Sequence, residues 1–277
     1  MNSHVIRAGV IGHPISHSRS PIIHGYWLKE YGIDGEYKTY DIAPANLRDE
    51  VLRLRDAGLA GFNVTLPHKQ AIMDICTTLD LEAQKIGAVN TVVFYPGGDI
   101  EGRNTDAYGF MQNALESEPE FFETPPADIT ATVIGAGGAA RAVLYALRRN
   151  GVVDIRLANR TLASAETLAD DFGARVYEWD DMGAALEGAN FLINTTSLGM
   201  TGQPPLDLPL DQFSPSGLVY DIVYAPLMTG LLKRAQLRGC KTVTGIGMLL
   251  HQARPGFQAW FGRRPDVTDD LRAQVLA

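Results

Sequence analysis

The stretch Ala131–Ala142, ATVIGAGGAARA, constrains this chain more than any other. A β-branched run, Thr132, Val133 and Ile134, feeds a glycine cluster at Gly135, Gly137 and Gly138. An Ala/Leu-rich segment, AARAVLYALRRNG, follows with helical spacing. Strand, glycine turn and helix start make the phosphate-binding element of a dinucleotide fold. The first glycine permits the tight turn, the second lets backbone approach a pyrophosphate, and the helix N-terminus faces the anion. Ala140 stands where a third small residue allows close helix–strand packing. A lone glycine string fits a structural turn equally well; here the strand before it and the helix pattern after it supply the context.

The next strand, Val153–Ala158, ends in Asn159, Arg160 and Thr161. A fold that holds a plain ribose hydroxyl usually carries Asp or Glu about 20 residues past the glycines, whereas an arginine suits a 2′-phosphate. No carboxylate stands here. A guanidinium pairs with phosphate through two parallel donors and gains little from a hydroxyl. The strand end therefore points to NADP, against the plainer reading of Arg160 as a solvated charge.

The 277 residues suffice for two domains with sizeable cores. With 45% hydrophobic and 20% charged residues, the composition is that of a soluble globular protein, and the net charge of −8 argues against nucleic acid as a general partner. No basic-plus-apolar leader and no run of about 18 apolar residues is present, so neither secretion nor a membrane is expected. Cys76 and Cys240 lie far apart without a CxxC pattern, which suits a reducing cytoplasm. His4, His13, His17 and His24 cluster near the start, but Pro14 interrupts the i, i+4 pair and no carboxylate or cysteine joins them; no metal site is expected.

Along the chain, Val5–Ile11 reads as a strand ending in the turn Gly12-His13-Pro14. Ser20 and Pro21 read as the N-cap and first residue of a helix ending near Gly32. A strand over Glu36–Ile42, an amphipathic helix over Pro44–Ala57 and a strand over Gly61–Leu66 follow, then a helical stretch after Lys69. Ala88–Phe94 with Pro96-Gly97-Gly98 reads as a strand and hairpin turn. The first domain closes near 105, and a Pro/Glu-rich loop, Pro119–Asp128, is the best linker. Strands at 130–134, 153–158, 174–178, 190–194, 218–222 and 241–243, separated by helical patterns, predict a doubly wound parallel sheet. From Gly247 one or two helices are expected to pack back on the first domain.

Ser18 and Ser20 lie two residues apart in a loop after a strand, where both hydroxyls can meet one carboxylate or diol; helix capping accounts for Ser20 but not for Ser18. No Gly-x-Ser-x-Gly elbow surrounds either, which argues against a nucleophilic role. Lys69 follows a strand end and a proline turn near Thr65, a place for a proton carrier or for an ordinary solvated lysine. Asn90, inside the apolar string AVNTVV, needs a buried partner. Asp106 fits a helix N-terminus and acquires a further role only beside Lys69. Asn194-Thr195-Thr196-Ser197, Tyr224 and the GIGMLLHQ string with Gly245, Gly247 and Gln252 fall at strand ends or helix starts, where such sheets bind ligands.

The strings GHPISHSRSPIIH, GFNVTLPHK, GAVNTV, GRNTDAYGF, VIGAGGAARA, NRT, NTTSLGM, YDIVYAP and GIGMLLHQA, in that order over nearly the whole chain, resemble the shikimate dehydrogenase family. The resemblance implies an α/β fold. An N-terminal α/β substrate domain at 1–105, with 246–277 returning to it, would precede a Rossmann-type NADP-binding domain at 106–245. It implies an NADP-dependent oxidoreductase that reversibly reduces 3-dehydroshikimate to shikimate, towards chorismate and the aromatic amino acids, by hydride transfer in a ternary complex. Such an enzyme would be cytoplasmic, a monomer or homodimer, with a small-molecule substrate and no nucleic-acid or membrane partner.

By the same resemblance, Ser18 and Ser20 hold the substrate carboxylate. Thr65, Asn90, Asp106 and Gln252 hold its hydroxyls, Tyr224 lies near the carboxylate end, and Lys69 and Asp106 form the catalytic pair. Gly135, Ala136, Gly137, Gly138, Ala139, Asn159, Arg160 and Thr161 match the NADP contacts, with Ile222, Gly245 and Met248 near the nicotinamide. Many NADP-using members place a second basic residue where this chain has Ser164, which leaves the preference on Arg160. Relatives favouring quinate often carry threonine in place of Ser20. Two further readings stand beside the leading one: a quinate/shikimate paralogue using NAD, and an NADP-binding regulator without catalysis.

Overall fold

Strands and helices alternate through residues 5–277, the part of the chain that the computed structural model describes. The chain packs as two units, one running to Asp106 and resuming over Leu250–Ala277, the other Ala107–Leu249. In the first unit, β1 (Ile6–Gly12) lies between β2 (Gly35–Asp41) and β3 (Gly61–Val64), both parallel to it. β5 (Thr91–Phe94) runs antiparallel to β3, and β6 (Ile100–Arg103) antiparallel to β5. β4 (Thr78–Leu79) pairs parallel with β6, giving the order β2-β1-β3-β5-β6-β4. The predicted hairpin turn is present: Gly97 and Gly98 take φ +103° and +99°, a region open to glycine.

Helices α1 (Ser20–Glu30), α2 (Leu47–Asp56) and α3 (Leu81–Ile86) belong to this unit. Val51, Leu54, Phe62, Ile72, Val89 and Val92 form part of one core cluster. The chain's last segment is tied in by two indoles. Trp260 Nε1 on α9 (Ile246–Phe261) donates to the Val92 carbonyl at 3.0 Å. Trp27 Nε1 donates to the Asp266 carbonyl at 2.9 Å, just before α10 (Asp269–Leu276).

In the second unit, which takes up α4 (Asp106–Ser117) from its second residue, all six strands are parallel: β7 (Thr130–Ile134), β8 (Asp154–Ala158), β9 (Arg175–Tyr177), β10 (Phe191–Asn194), β11 (Leu218–Asp221) and β12 (Lys241–Thr244). Their order, β12-β11-β10-β7-β8-β9, is the doubly wound pattern with its switch point between β7 and β10. Helices α5 (Gly138–Arg149), α6 (Leu162–Phe172), α7 (Met182–Leu186) and α8 (Gly230–Leu237) supply four of the five connections, and β10 reaches β11 through a loop with a 3-10 turn at Leu210–Gln212. Leu186, Leu192, Phe213, Val219 and Leu232 share a core cluster. Phe110 on α4 stacks on Tyr220 at 4.8 Å, and Asn113 donates to the Tyr220 hydroxyl at 2.6 Å and to the Thr244 carbonyl at 2.9 Å.

Three local expectations are corrected. Arg19, not Ser20, occupies the cap position of α1, and Ser18 Oγ accepts the Ser20 N–H at 3.3 Å. The cap residue itself makes no side-chain bond, and Ser18 serves only to receive the N–H of the first helical residue. After Lys69 there is only a short 3-10 turn, Ala71–Asp74, because the Lys69 carbonyl accepts Val89 N–H at 2.7 Å instead of a helical donor. Finally, β5 begins at Thr91, so Asn90 sits at the bend before the strand.

Candidate active site

Lys69 and Asp106 meet in the first unit, Nζ to Oδ2 at 2.5 Å, with side chains 18% and 8% exposed. The two come from different places: Lys69 from the turn after β3, Asp106 from the first residue of α4. Each backbone is fixed before the side chains meet. His68, buried, bonds the Ile42 carbonyl through Nε2 at 2.7 Å, which anchors the residue next to Lys69. Asn104 accepts Asp106 N–H at 3.0 Å and donates to the Ala88 carbonyl at 2.8 Å.

Asn90 is the hub. Its amide nitrogen donates to Asp106 Oδ1 at 2.8 Å and Thr105 Oγ1 at 2.9 Å, and lies 3.3 Å from Gln252 Oε1. Its oxygen accepts Thr105 N–H at 2.9 Å and the Thr91 hydroxyl at 3.0 Å. These bonds hold the side chain across the chain's bend and explain why the strand starts at Thr91, three residues after the expected Ala88. The ammonium–carboxylate pair can exchange a proton with an alcohol oxygen beside Lys69, while Asn90 keeps Asp106 oriented. Gln252, from α9, closes the cluster, and Thr105 Oγ1 also donates to the Gln252 carbonyl at 2.8 Å.

Ser18 and Ser20 belong to this unit, Ser20 buried and Ser18 partly exposed, and Ser20 lies beside the Tyr37 phenol. Tyr37 donates to Asn63 Oδ1 at 2.7 Å, and burial pushes its ionisation well above the usual phenol range, so the donor proton is retained. Thr65 accepts through its carbonyl from His68 N–H at 3.0 Å and presses on Gly12, where any Cβ would lie 2.6 Å from Thr65 Cγ2. Asn63 joins this cluster as a candidate that the sequence reading missed. Buried at the end of β3, it donates to Thr91 Oγ1 at 3.2 Å and to the Asn90 carbonyl at 3.3 Å. An asparagine inside an apolar strand, the same signal that marked Asn90, was there to find it.

Of the early histidines, His4 lies outside the described residues. His13 Nδ1 is 2.7 Å from Asp41 Oδ1. His24 is buried and stacked on Tyr37 at 3.9 Å, and neither of its ring nitrogens has a hydrogen-bond partner among the described residues. Burial pulls its pKa from 6.5 to about 3, against the pull of the neighbouring Asn63.

The second unit carries the cofactor candidates. Gly135 takes φ +107°, and a Cβ there would lie 2.7 Å from Thr195 Oγ1 and 2.8 Å from Thr196 Cγ2. At Gly137 a Cβ would meet nothing within 4 Å. Gly137 thus faces open space just before the first-turn amides of α5, which fits a pyrophosphate. Asn159 donates to the Thr161 carbonyl at 2.9 Å and shapes the turn after β8. Arg160 and Ser164 are exposed, and the first turn of α6 carries no acid, which fits a 2′-phosphate better than a bare hydroxyl. Gly245 packs against the Ile222 carbonyl, so closely that a Cβ would strike it, which puts these two expected nicotinamide neighbours side by side. Met248 is buried in the first turn of α9, and Tyr224 is half-buried three residues past β11. No helix among the described residues is long and apolar enough to cross a membrane.

Comparison with known proteins agrees with this architecture. Three family models match in chain order: the shikimate dehydrogenase substrate binding domain over 10–92, shikimate/quinate 5-dehydrogenase over 122–200, and the shikimate 5′-dehydrogenase C-terminal domain over 245–276. The NADP(+) shikimate dehydrogenase of Paramagnetospirillum magneticum is 53% identical, with 98% of each chain covered. That of Paracoccus denitrificans is 49% identical, covering 99% of this chain and 97% of its own. Among solved structures, shikimate 5-dehydrogenase from Thermus thermophilus in complex with NADP(H) and shikimate superposes with TM-score 0.85 at 35% identity, covering 98% of both chains. Quinate dehydrogenase from Corynebacterium glutamicum in complex with NAD gives TM-score 0.90 at 30% identity, covering 98% of this chain and 99% of its own. From end to end, in sequence and in both sheets, the chain belongs to the shikimate dehydrogenase family.

Proposed function

We propose that this protein is an NADP-dependent shikimate dehydrogenase, which interconverts 3-dehydroshikimate and shikimate on the way to chorismate and the aromatic amino acids. The observation that carries the reading is the 2.5 Å Lys69–Asp106 pair held by Asn90, within a chain about half identical to enzymes of that name. A regulator without catalysis has no need of this pair.

Bound NADP supplies the pyridinium that accepts a hydride from the substrate's carbinol carbon. The residues of the chain do the rest. Ser18 and Ser20 bind the carboxylate, while Thr65, Asn90, Asp106 and Gln252 hold the ring hydroxyls, with Asn63 oriented by Tyr37 beside them and Tyr224 at the carboxylate end. Lys69 accepts the hydroxyl proton in oxidation and returns it in reduction, and Asp106 stabilises the ammonium form. Gly135 to Ala139 cradle the pyrophosphate, Arg160 with Asn159, Thr161 and Ser164 holds the 2′-phosphate, and Ile222, Gly245 and Met248 flank the nicotinamide. The enzyme acts in the cytoplasm as a monomer or homodimer, without nucleic acid; the net charge of −8 supports the last point.

The test is an initial-rate comparison of shikimate and quinate, each with NADP and NAD, followed by the absorbance of reduced cofactor. Turnover with shikimate and NADP far above the other three combinations is expected. Comparable rates with NAD or quinate would move the protein to the quinate/shikimate reading, which the likeness to a quinate dehydrogenase bound to NAD keeps open. Cofactor binding without turnover would leave the regulator.

A further inference from the structure

Asp221, the last residue of β11, is fully buried, and no lysine, arginine or histidine among the described residues forms an ion pair with it. Three donors satisfy it instead. Asn194 Nδ2 donates to Oδ1 at 2.8 Å, Val223 N–H to Oδ1 at 3.1 Å, and the Thr229 hydroxyl to Oδ2 at 2.7 Å. All point at the carboxylate oxygens and favour the charged form, while burial pushes the carboxyl above its usual range. A buried anion with dipoles but no counter-cation projects its field further than a paired one.

The place matters. Asn194 and Asp221 are register partners at the carboxyl ends of β10 and β11. The glycine turn follows β7, and the 2′-phosphate candidate Arg160 follows β8 on one side of it. A dinucleotide lying across the switch point then extends its other ring over β10, β11 and β12. Asp221 immediately precedes Ile222, whose carbonyl abuts Gly245.

The same carboxylate also ties the loops together. Asn194 holds Thr196 through Oδ1 (N–H at 3.0 Å, hydroxyl at 2.7 Å) and donates to the Leu198 carbonyl at 3.2 Å, while Thr229 caps α8.

We infer that Asp221 is a positioning residue whose uncompensated buried charge biases the cofactor site towards the oxidised, positively charged nicotinamide over the neutral reduced one. The inference rests on the reading of the second unit as an NADP site. Asp221 touches no reacting atom; it acts through space and through the loops it fixes. A unit charge within about 10 Å, at an effective dielectric near 20, changes affinity on the order of tenfold.

The experiment is calorimetric titration of the full chain with NADP+ and, separately, with NADPH, without substrate. It compares wild type, Asp221→Asn and Thr229→Val. Asparagine keeps the shape: its oxygen can take both Oδ1 bonds and its amide can donate to the Thr229 hydroxyl. Asp221→Asn is expected to weaken NADP+ relative to NADPH by about tenfold. Thr229→Val, which keeps the charge, is expected to weaken both alike and preserve the ratio.

If wild type binds neither cofactor, the proposed function fails. If both bind and Asp221→Asn leaves their ratio within about twofold of wild type, the charge bias is wrong. It is equally wrong if Thr229→Val moves the ratio as far as Asp221→Asn does. Should Asp221→Asn not fold, Asp221→Ser takes its place. Should neither fold, the wild-type ratio decides: NADP+ bound at least as tightly as NADPH is expected, and NADPH tighter by about tenfold overturns the inference.

Discussion

Lys69 and Asp106 are 37 residues apart in sequence and 2.5 Å apart in space. Lys69→Ala is expected to lower kcat by about 10²- to 10⁴-fold, the range lost with a general acid or base, while shikimate still binds by calorimetry. Unchanged kcat would remove Lys69 from the chemistry. His24 supports a second prediction at this scale. The folded protein keeps it neutral down to about pH 3, whereas the unfolded chain protonates below 6.5. The unfolded state therefore binds the extra proton across this window: His24 costs nothing above pH 6.5, and stability falls as the pH drops. The slope is about 1.4 kcal/mol per pH unit. His24→Phe, which keeps the stacking on Tyr37, is expected to remove about 2 kcal/mol of the loss between pH 7 and 5, read from urea midpoints. Equal slopes in both proteins would mean that His24 is solvated in solution.

Elements place these residues, and here sequence and structure part company in instructive ways. The glycine turn and the six strands of the parallel sheet were legible because strand, turn and helix are encoded within a dozen contiguous residues. Ser18 and Ser20 were legible as a pair but not in their roles at the helix start, since which residue takes the cap position depends on how the chain enters α1. Asn63 stood out only as a polar residue in an apolar strand, and its role, like that of Asp221, depends on partners 28 and 8 residues away.

At this scale, Gly135→Ala forces a Cβ into Thr195 and Thr196 at a backbone angle of +107° that side chains rarely adopt. A loss of about 1–3 kcal/mol is expected, with weakened NADP binding; a melting temperature equal to wild type would contradict it. On α6, Ser164→Arg adds a second guanidinium to the side occupied by Arg160. It is expected to lower the KM for NADP several-fold, about what one exposed charge-assisted bond contributes, and to leave that for NAD unchanged.

The molecule as a whole is built from a first unit that the second interrupts. Phe257 and Trp27 are fully buried there and Trp260 nearly so, with Trp27 bonded to Asp266 and Trp260 to Val92. Removing residues 250–277 strips several large aromatics of their packing. At about 3–5 kcal/mol for each such side chain lost, the deficit exceeds the stability of an ordinary domain. Residues 107–249 expressed alone are expected to fold and bind NADPH, while the truncated chain shows one unit melted and the other intact by calorimetry. A single cooperative transition at the wild-type temperature would contradict this.

The interruption also sets a timetable. On a ribosome, β1 to β6 emerge first yet lack α9 and α10, which are made last. The parallel sheet, though begun later, has all its strands before those helices exist. The order of birth and the order of maturation are thus reversed, and the nascent Lys69–Asp106 pair must wait, without Gln252, until translation is nearly over.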